Sequence, residues 1–299
     1  MFKNLTVYRI GPQWSADLKQ MEDGLNKARF VECGATQPMS FGWVAPRGTP
    51  HAPLIESVAG HHLLKLMIEQ KVVPGAVVKR RTEELAKHIE DTTGRKPGKK
   101  QTKEIKEQAL LELLPMAFTK QSSINVWIAP KQSLMMVDAS SQTKADEVVA
   151  HVVKAIDGLV VNHLQTTNSP AVMMSEWLVS GEPPATFTVD RECELKSTDE
   201  MKSVVRYSRH LLDTEEVRQH ITSGKVPTKL AMTWESRVSF LLTDTMQIKK
   251  LSFLDVVFDG RKPDNKDEAF DADAAIATGE LSKLIPDLVE ALGGELPIS

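Results

Sequence analysis

The sequence is poor in three features, and each scarcity narrows the class of protein. Only two cysteines occur, Cys33 and Cys193, and neither belongs to a CxxC pair, so we expect reduced thiols in a cytoplasmic protein. Aromatic residues make up 5% of the chain, which argues against a single-strand binder built from many stacking platforms. No apolar run reaches the roughly 18 residues that a membrane-spanning helix needs.

The remaining composition is that of an ordinary globular chain, but its charge is segregated. The 299 residues carry a formal net charge of −3. Residues 79–106 contain ten Lys and Arg against five Asp and Glu, whereas residues 251–299 contain four against eleven. A basic block beside an acidic tail produces a directional field even when the sum is slightly negative. A polyanionic partner therefore stays compatible with the composition.

The basic block centres on the stretch GRKPGKKQTK at residues 94–103. A helical pattern covers 77–91, and a second resumes near Thr102 and stops at Pro115. Gly94 is a plausible C-terminal stop for the first helix, and Pro97 blocks its continuation. The spacing predicts a helical hairpin over residues 76–114 with the basic stretch at its tip.

Elsewhere, strand and helix patterns follow one another in mixed order, which predicts an α+β fold with mixed antiparallel sheets and helices. A β-hairpin is expected over 122–128 and 133–139, with further strands at 185–190, 201–209, 225–234, 236–243 and 247–254. Helices are expected over 14–28, 143–156, 172–180 and 214–222. A final helical pattern over 267–292 is interrupted by Gly279 and Pro286. We divide the chain into a central region (1–75 with 115–170), the hairpin (76–114) and a C-terminal region (171–299).

The candidate motifs for nucleotide binding and metal binding lack the required spacing or geometry. A P-loop needs four residues between its glycines and Ser or Thr after the Lys, whereas only three residues lie between Gly94 and Gly98 and Lys100 follows Lys99. His61 and His62 are adjacent, so on a strand their imidazoles lie on opposite faces and make a poor metal site. Asp271 and Asp273 suit the dipole of a helix's first turn. We therefore predict no enzyme activity, no cofactor and no metal.

Basic residues also follow the predicted C-terminal strands. Period 2 puts Lys225 and Lys229 on one face of their strand, and Arg206 and Arg209 on opposite faces of theirs. A sheet with one Lys/Arg-rich face can follow a phosphate backbone without reading bases. An ordinary antiparallel sheet with a solvated face explains the same pattern, and the sequence leaves both interpretations open.

Several segments along the chain resemble segments of one known protein family. They are FKNLTVYRI at the start, FGWVAP at 41–46, LLPMAFTK at 113–120, INVWI at 124–128, MMVDAS at 135–140, SEWLVSG at 175–181, GKVPTKLAMTW at 224–234, FDADAAIATGEL at 270–281 and LIPDLVEALGGE at 284–295. Together they resemble the RdgC family of recombination-associated proteins, in order and over essentially residues 2–296.

The resemblance implies a bacterial, non-enzymatic protein that binds double-stranded DNA with little sequence preference. It implies a ring-shaped homodimer whose basic central hole admits duplex DNA, and restraint of RecA-mediated recombination by occupancy of the DNA. Nucleoid association in the cytoplasm follows from the same resemblance. Two alternatives stay open, namely a protein–protein adaptor that acts directly on the recombinase and a Mg-dependent nuclease.

The resemblance also carries residue roles. Phe118 matches a family phenylalanine that packs in a dimer contact, with an intramolecular core position as the alternative. Arg209 falls where the family has a basic residue implicated in DNA contact, and the tip cations match a basic finger. The expected DNA-binding residues are Lys79, Arg80, Arg81, Arg95, Lys96, Lys99, Lys100, Lys103, Arg206, Arg209, Lys225 and Lys229.

Overall fold

A computed structural model of the chain describes residues 2–49, 51–258 and 266–296. These residues form seven α-helices and two antiparallel sheets, which confirms the predicted α+β class. The helices are α1 (Leu18–Lys27), α2 (Gly75–Thr93), α3 (Lys99–Leu113), α4 (Gln142–Ala155), α5 (Pro170–Ser180), α6 (Glu215–Thr222) and α7 (Lys266–Ala291). Within these ranges no helix is both long enough and apolar enough to cross a membrane.

The first sheet has seven strands from the N-terminal half of the chain. They are β1 (Thr6–Ile10), β2 (Met39–Val44), β3 (Ile55–Val58), β4 (His61–Val72), β5 (Phe118–Ala129), β6 (Leu134–Val137) and β7 (Val161–His163). The order is β2-β4-β5-β6-β1-β7, with β3 also paired to β4. The predicted hairpin at 122–139 is confirmed as the β5–β6 pair. Helices α1 and α4 cover one face of this sheet with an apolar core.

The second sheet has five strands from the C-terminal half. They are β8 (Phe187–Ser197), β9 (Val204–Ser208), β10 (Lys225–Trp234), β11 (Val238–Thr243) and β12 (Ile248–Phe253), in the order β12-β11-β10-β8-β9. A continuous apolar core joins this sheet, the second face of the first sheet, and α7. The predicted central and C-terminal regions both contribute residues to this core. The division of the chain into three regions stays a prediction.

Helix α7 runs without a break through both predicted interruptions, so the expectation of an interrupted helix is wrong. Proline at position 286 has no N–H to donate to the carbonyl of Ser282, four residues earlier. The side chain of Gln132 donates from Nε2 to that carbonyl at 2.8 Å instead. A side chain from the first sheet thus replaces the missing helical hydrogen bond, and the helix continues.

Candidate nucleic-acid interface

The predicted helical hairpin is confirmed, and it projects from the paired strands β4 and β5. These two strands share a register that runs from His62 opposite Ile128 to Val72 opposite Phe118. Helix α2 follows β4, and α3 leads back toward β5. Gly94 ends α2 in the left-handed conformation, with φ of 69°, and its N–H bonds to the carbonyl of Glu90. At 1.5 Å per residue, the 19 residues of α2 make a helix ~28 Å long.

The hairpin tip carries four cations that form no ion pair in the described part of the chain. Arg95, Lys99, Lys100 and Lys103 are all exposed, and none of the ion pairs within the described part of the chain involves them. Lys96 lies 4.0 Å from Glu90, at the limit of an ion pair. Three of these lysines belong to the first two turns of α3 rather than to the loop. The tip therefore presents an uncompensated positive surface.

The basic residues near the start of α2 are paired, unlike those of the tip. Lys79 lies 3.9 Å from Glu83, and Arg80 lies 3.9 Å from Glu84. The guanidinium of Arg81 contacts Glu84 at 3.1 Å and a carboxylate of α3 at 2.7 Å. The hairpin thus separates its cations into a paired group, which we call the base cations (Lys79, Arg80, Arg81), and the unpaired tip cations (Arg95, Lys99, Lys100, Lys103).

The structure contradicts the prediction that Lys225 and Lys229 share a face of β10. Pro227 lies opposite Leu195 of β8, but Lys229 lies opposite Glu194, so a β-bulge adds one residue to β10 between them. One extra residue reverses the alternation of side chains. Lys225 lies on the face of buried Leu195, and Lys229 lies on the other face. The bulge also explains the uneven alternation of apolar residues along this strand.

On the outer face of the second sheet, two of the predicted DNA-binding residues converge on one carboxylate. The side chain of Glu194 accepts hydrogen bonds from Arg206 Nε at 2.7 Å and Thr228 Oγ1 at 2.9 Å, and it lies 3.0 Å from Lys229 Nζ. Burial, the largest single influence, opposes ionisation of Glu194, but the three polar partners together outweigh it and lower its pKa to about 2. Arg206 and Lys229 are therefore partly neutralised already.

Arg209 lies just beyond the end of β9 rather than on a strand face. Its φ of 56° is in the left-handed region, and its side chain is exposed. Among residues in the described ranges it forms no ion pair. Arg209 is thus available to an anionic partner, whereas Arg206 three residues earlier is engaged. In the described part of the chain, no hydrogen bond or ion pair links the hairpin tip to Arg206 or Arg209.

An exposed apolar patch lies where the hairpin joins the first sheet. Phe118, the first residue of β5, is 87% exposed, and Met116 before it is 75% exposed. Val72, opposite Phe118 in the register, is 46% exposed. Large apolar side chains that cluster at a surface mark interaction sites. Phe118 is therefore not a core residue of the single chain, and we call this group (Val72, Met116, Phe118) the junction patch.

The residues considered for catalysis do not assemble into a centre. In the part of the chain that the structure describes, no group of three or more His, Cys, Asp or Glu side chains is placed to hold a metal ion. Asp271 forms an ion pair with Arg47 at 2.6 Å. Burial lowers the pKa of both His61 and His62. Lys106, an exposed residue one turn beyond Lys103 on α3, is a further cation of this helix that was not among the predicted DNA-binding residues, although its helical spacing from Lys103 is visible in the sequence.

Comparison with known proteins gives one family. The family model described as "Putative exonuclease, RdgC" matches residues 1–295. The chain belongs to the RdgC family. A recombination-associated protein RdgC of Dechloromonas aromatica is 44% identical over 300 residues, covering 99% of this chain and 98% of that protein. Proteins of the same name from Cupriavidus necator and Herminiimonas arsenicoxydans are 45% and 42% identical, each over 98% of both chains.

Membership in the RdgC family confirms the resemblance seen in the sequence segments. It connects the chain to recombination, since the relatives are named for that association. The description of the family model names an exonuclease, whereas the names of the relatives state no enzymatic activity.

Proposed function

We propose that this chain binds double-stranded DNA through backbone phosphates without reading the bases, with the hairpin tip as its principal contact. The observation that carries the proposal is the contrast between unpaired tip cations and paired base cations. A paired cation must give up its carboxylate before it neutralises a phosphate. An unpaired cation only releases counterions from the DNA, which is the dominant favourable term in such binding.

We further propose that two copies form a ring-shaped homodimer with a basic central hole that encircles the duplex. The junction patch supports this proposal, because 87% exposure of Phe118 and 75% exposure of Met116 leave apolar surface for a second copy to cover. A dimer that occupies the duplex would then restrain RecA-mediated strand exchange. It would act in the cytoplasm, in association with the nucleoid. The name of the relatives, recombination-associated protein, is consistent with this role.

The test replaces Lys99 and Lys100 together with Glu and measures duplex affinity by fluorescence anisotropy on several unrelated sequences. We expect a similar loss of affinity on every sequence, because phosphate contacts carry no sequence information. The matched control replaces Lys79 and Arg80 with Glu, and we expect a smaller loss because these residues are already near carboxylates. A loss confined to one sequence, or an equal loss in the control, would contradict the proposal.

A nuclease is the second candidate, because the family model is described as an exonuclease. Incubation of the protein with end-labelled linear duplex and single-stranded DNA in the presence of Mg²⁺ distinguishes the two functions. Binding without release of nucleotides supports the DNA-binding proposal, whereas progressive shortening from an end supports the nuclease. An adaptor that acts on the recombinase itself would inhibit strand exchange even when DNA is in large excess.

A further inference from the structure

A second basic surface, unrelated to the hairpin tip, lies in a cleft on the first sheet. The cleft has a volume of about 510 Å³. Its lining includes three basic side chains, Arg29, His51 and Lys65, and no Asp or Glu. The two hydroxyl-bearing residues of the lining are Thr49 and Ser123. In a chain with a net charge of −3, a cleft whose charged lining residues, Arg29 and Lys65, are both cationic is a local environment suited to an anion.

Lys65 lines this cleft, and in the described part of the chain its charge is not balanced by an ion pair with a carboxylate. It lies in the middle of β4, and its Nζ donates to the carbonyl of Pro46 at 2.5 Å. An ammonium group has three N–H donors, so two remain after this bond. No ion pair within the described ranges involves Lys65, and burial lowers its pKa. An anion bound beside Lys65 would offset the cost of holding this charge in a partly buried position.

A glycine of β2 allows the segment that carries Arg29 to approach the strand at the edge of this cleft. The segment after α1 runs along the edge of β2, where Phe30 donates to the carbonyl of Trp43 at 3.0 Å. Gly42 makes this approach possible, because a Cβ at that position would lie 2.2 Å from the Cα of Phe30. The guanidinium of Arg29 donates only to the side-chain oxygen of Asn26, at 3.0 and 3.2 Å. Its remaining donors have no partner in the described part of the chain.

We propose that this cleft binds the phosphate group of a nucleotide, with Lys65 and Arg29 as its cationic partners. An Arg guanidinium matches phosphate geometry, and the hydroxyl groups of Thr49 and Ser123 add neutral donors. Phe30, which is half-buried, also lines the cleft and offers apolar surface to a base, whereas the side chain of Trp43 is buried in the core. The volume lies within the usual range of ligand pockets, roughly 300–1,000 Å³. The nucleotide is either free or part of a DNA strand, and the phosphate chemistry is the same.

Lys65 also lines a smaller cavity of about 250 Å³, together with Pro46, whose carbonyl accepts the hydrogen bond from Lys65 Nζ. Its lining includes Asp273, a carboxylate, together with Phe2 and Phe270. Repulsion between two anions disfavours a phosphate there, so the larger cleft is the preferred position.

The experiment measures binding of dAMP and of inorganic phosphate by isothermal titration calorimetry. We expect one dAMP site per chain in the unmodified protein. Lys65→Met keeps the aliphatic stem and removes the charge, and we expect it to weaken binding by about tenfold or more. Lys65→Arg should retain binding. Lys19→Met, an exposed lysine on α1 outside the cleft, is the matched control and should leave binding unchanged.

Arg29→Gln, at an exposed position, provides a second variant that does not depend on a partly buried site. Absence of dAMP binding to the unmodified protein would overturn the proposal, and so would an affinity in both Lys65→Met and Arg29→Gln that equals that of the unmodified protein. Binding that survives in both but disappears when Lys99 and Lys100 become Glu would assign the nucleotide to the hairpin tip and overturn it as well. The cleft proposal does not rest on the proposed function, because the tip variant should keep its dAMP site whatever its duplex affinity.

Duplex and single-stranded DNA added as competitors distinguish the two sources of the nucleotide. Displacement of dAMP by DNA in the tip variant indicates that the cleft takes a nucleotide of a DNA strand. Retention of dAMP in the presence of DNA indicates a free nucleotide. Both outcomes support a phosphate site at Lys65.

Discussion

Arg81 of α2 and Glu112 of α3 form an ion pair at 2.7 Å that joins the two helices of the hairpin. The contact lies near the end of the hairpin that meets the first sheet, and hydrogen bonds from Arg81 lower the pKa of Glu112. Few buried side chains hold the hairpin together, namely Val78, Ile105 and Ala109. An arm with so small an apolar contact depends on such polar links for its direction.

We predict that Glu112→Gln loosens the hairpin without unfolding the protein. The change removes the charge of the carboxylate, so the link between the helices weakens while the sheets keep their cores. Hydrogen–deuterium exchange should accelerate in α2 and α3 and stay unchanged in β4 and β5. Glu107→Gln, an exposed α3 residue without an ion pair in the described ranges, is the control. Unchanged exchange in the hairpin would show that the ion pair has no structural role.

The salt dependence of DNA binding should report the tip cations one by one. Each neutralised phosphate contributes a slope of about 0.9 to log affinity against log salt concentration. Lys99→Gln with Lys100→Gln should therefore lower the magnitude of the slope by about 1.8 if both contact phosphates. Lys79→Gln with Arg80→Gln should lower it by less. Identical slopes for the tip variant and the unmodified protein would exclude the tip from phosphate contact.

Phe118→Ala should weaken self-association. A fully buried large apolar side chain contributes about 1.5–3 kcal/mol, and an isologous contact buries one from each subunit. We therefore expect the dimer dissociation constant to rise by about a hundredfold or more. Sedimentation velocity over a range of concentrations measures the change. Val160→Ala, at a residue that is 60% exposed outside the junction patch, is the control. A dimer of unchanged stability would separate Phe118 from the interface.

Encirclement of DNA predicts a topological effect. A closed ring slides off the end of a linear duplex but stays on a covalently closed circle. After a challenge with high salt, we expect retention on circles of the same sequence and loss from linear molecules. Blocking both ends of the linear duplex with bulky protein should restore retention. Equal loss from circles and unblocked linear DNA would indicate that the duplex lies across the protein instead.

Glu194 predicts a pH dependence of stability in the second sheet. Its pKa is lowered to about 2 in the folded chain, below the ordinary value of about 4.3. A lowered folded-state pKa contributes stability above the ordinary value, and this stability is lost as pH falls toward the folded value. Glu194→Gln should therefore be less stable at pH 7, and the difference should shrink between about pH 4.3 and about pH 2. Urea midpoints at several pH values measure this, with exposed Glu200→Gln as the control.

Local signals in the sequence were enough to predict the hairpin and most elements. Gly94 and Pro97 stop one helix, and Gly94 indeed adopts the left-handed conformation that favours glycine. The continuity of α7 through Pro286 was beyond such signals, because the compensating donor, Gln132, is distant in the chain. The bulge in β10 was equally hidden, since it exists only relative to β8.

The candidate site, too, was only partly predictable from local signals in the sequence. Sequence patterns locate basic residues, but only the folded chain shows which of them already have carboxylate partners. Lys229 and Arg206 are 23 positions apart, yet both contact Glu194. The cleft around Lys65 joins four segments of the chain and has no local motif. Pairing and concavity are tertiary properties, so periodicity and composition cannot predict them.

The strands that carry the hairpin are hydrogen-bonded to each other along their length, from His62–Ile128 to Val72–Phe118. Everything between them, from the end of β4 to the start of β5, is therefore an insertion at one end of a β-ladder. Such an insertion can lengthen, shorten or change its charge without altering the strand order of the sheet. Evolution, or a protein engineer, can exchange this arm as a module while the two-sheet body keeps its core.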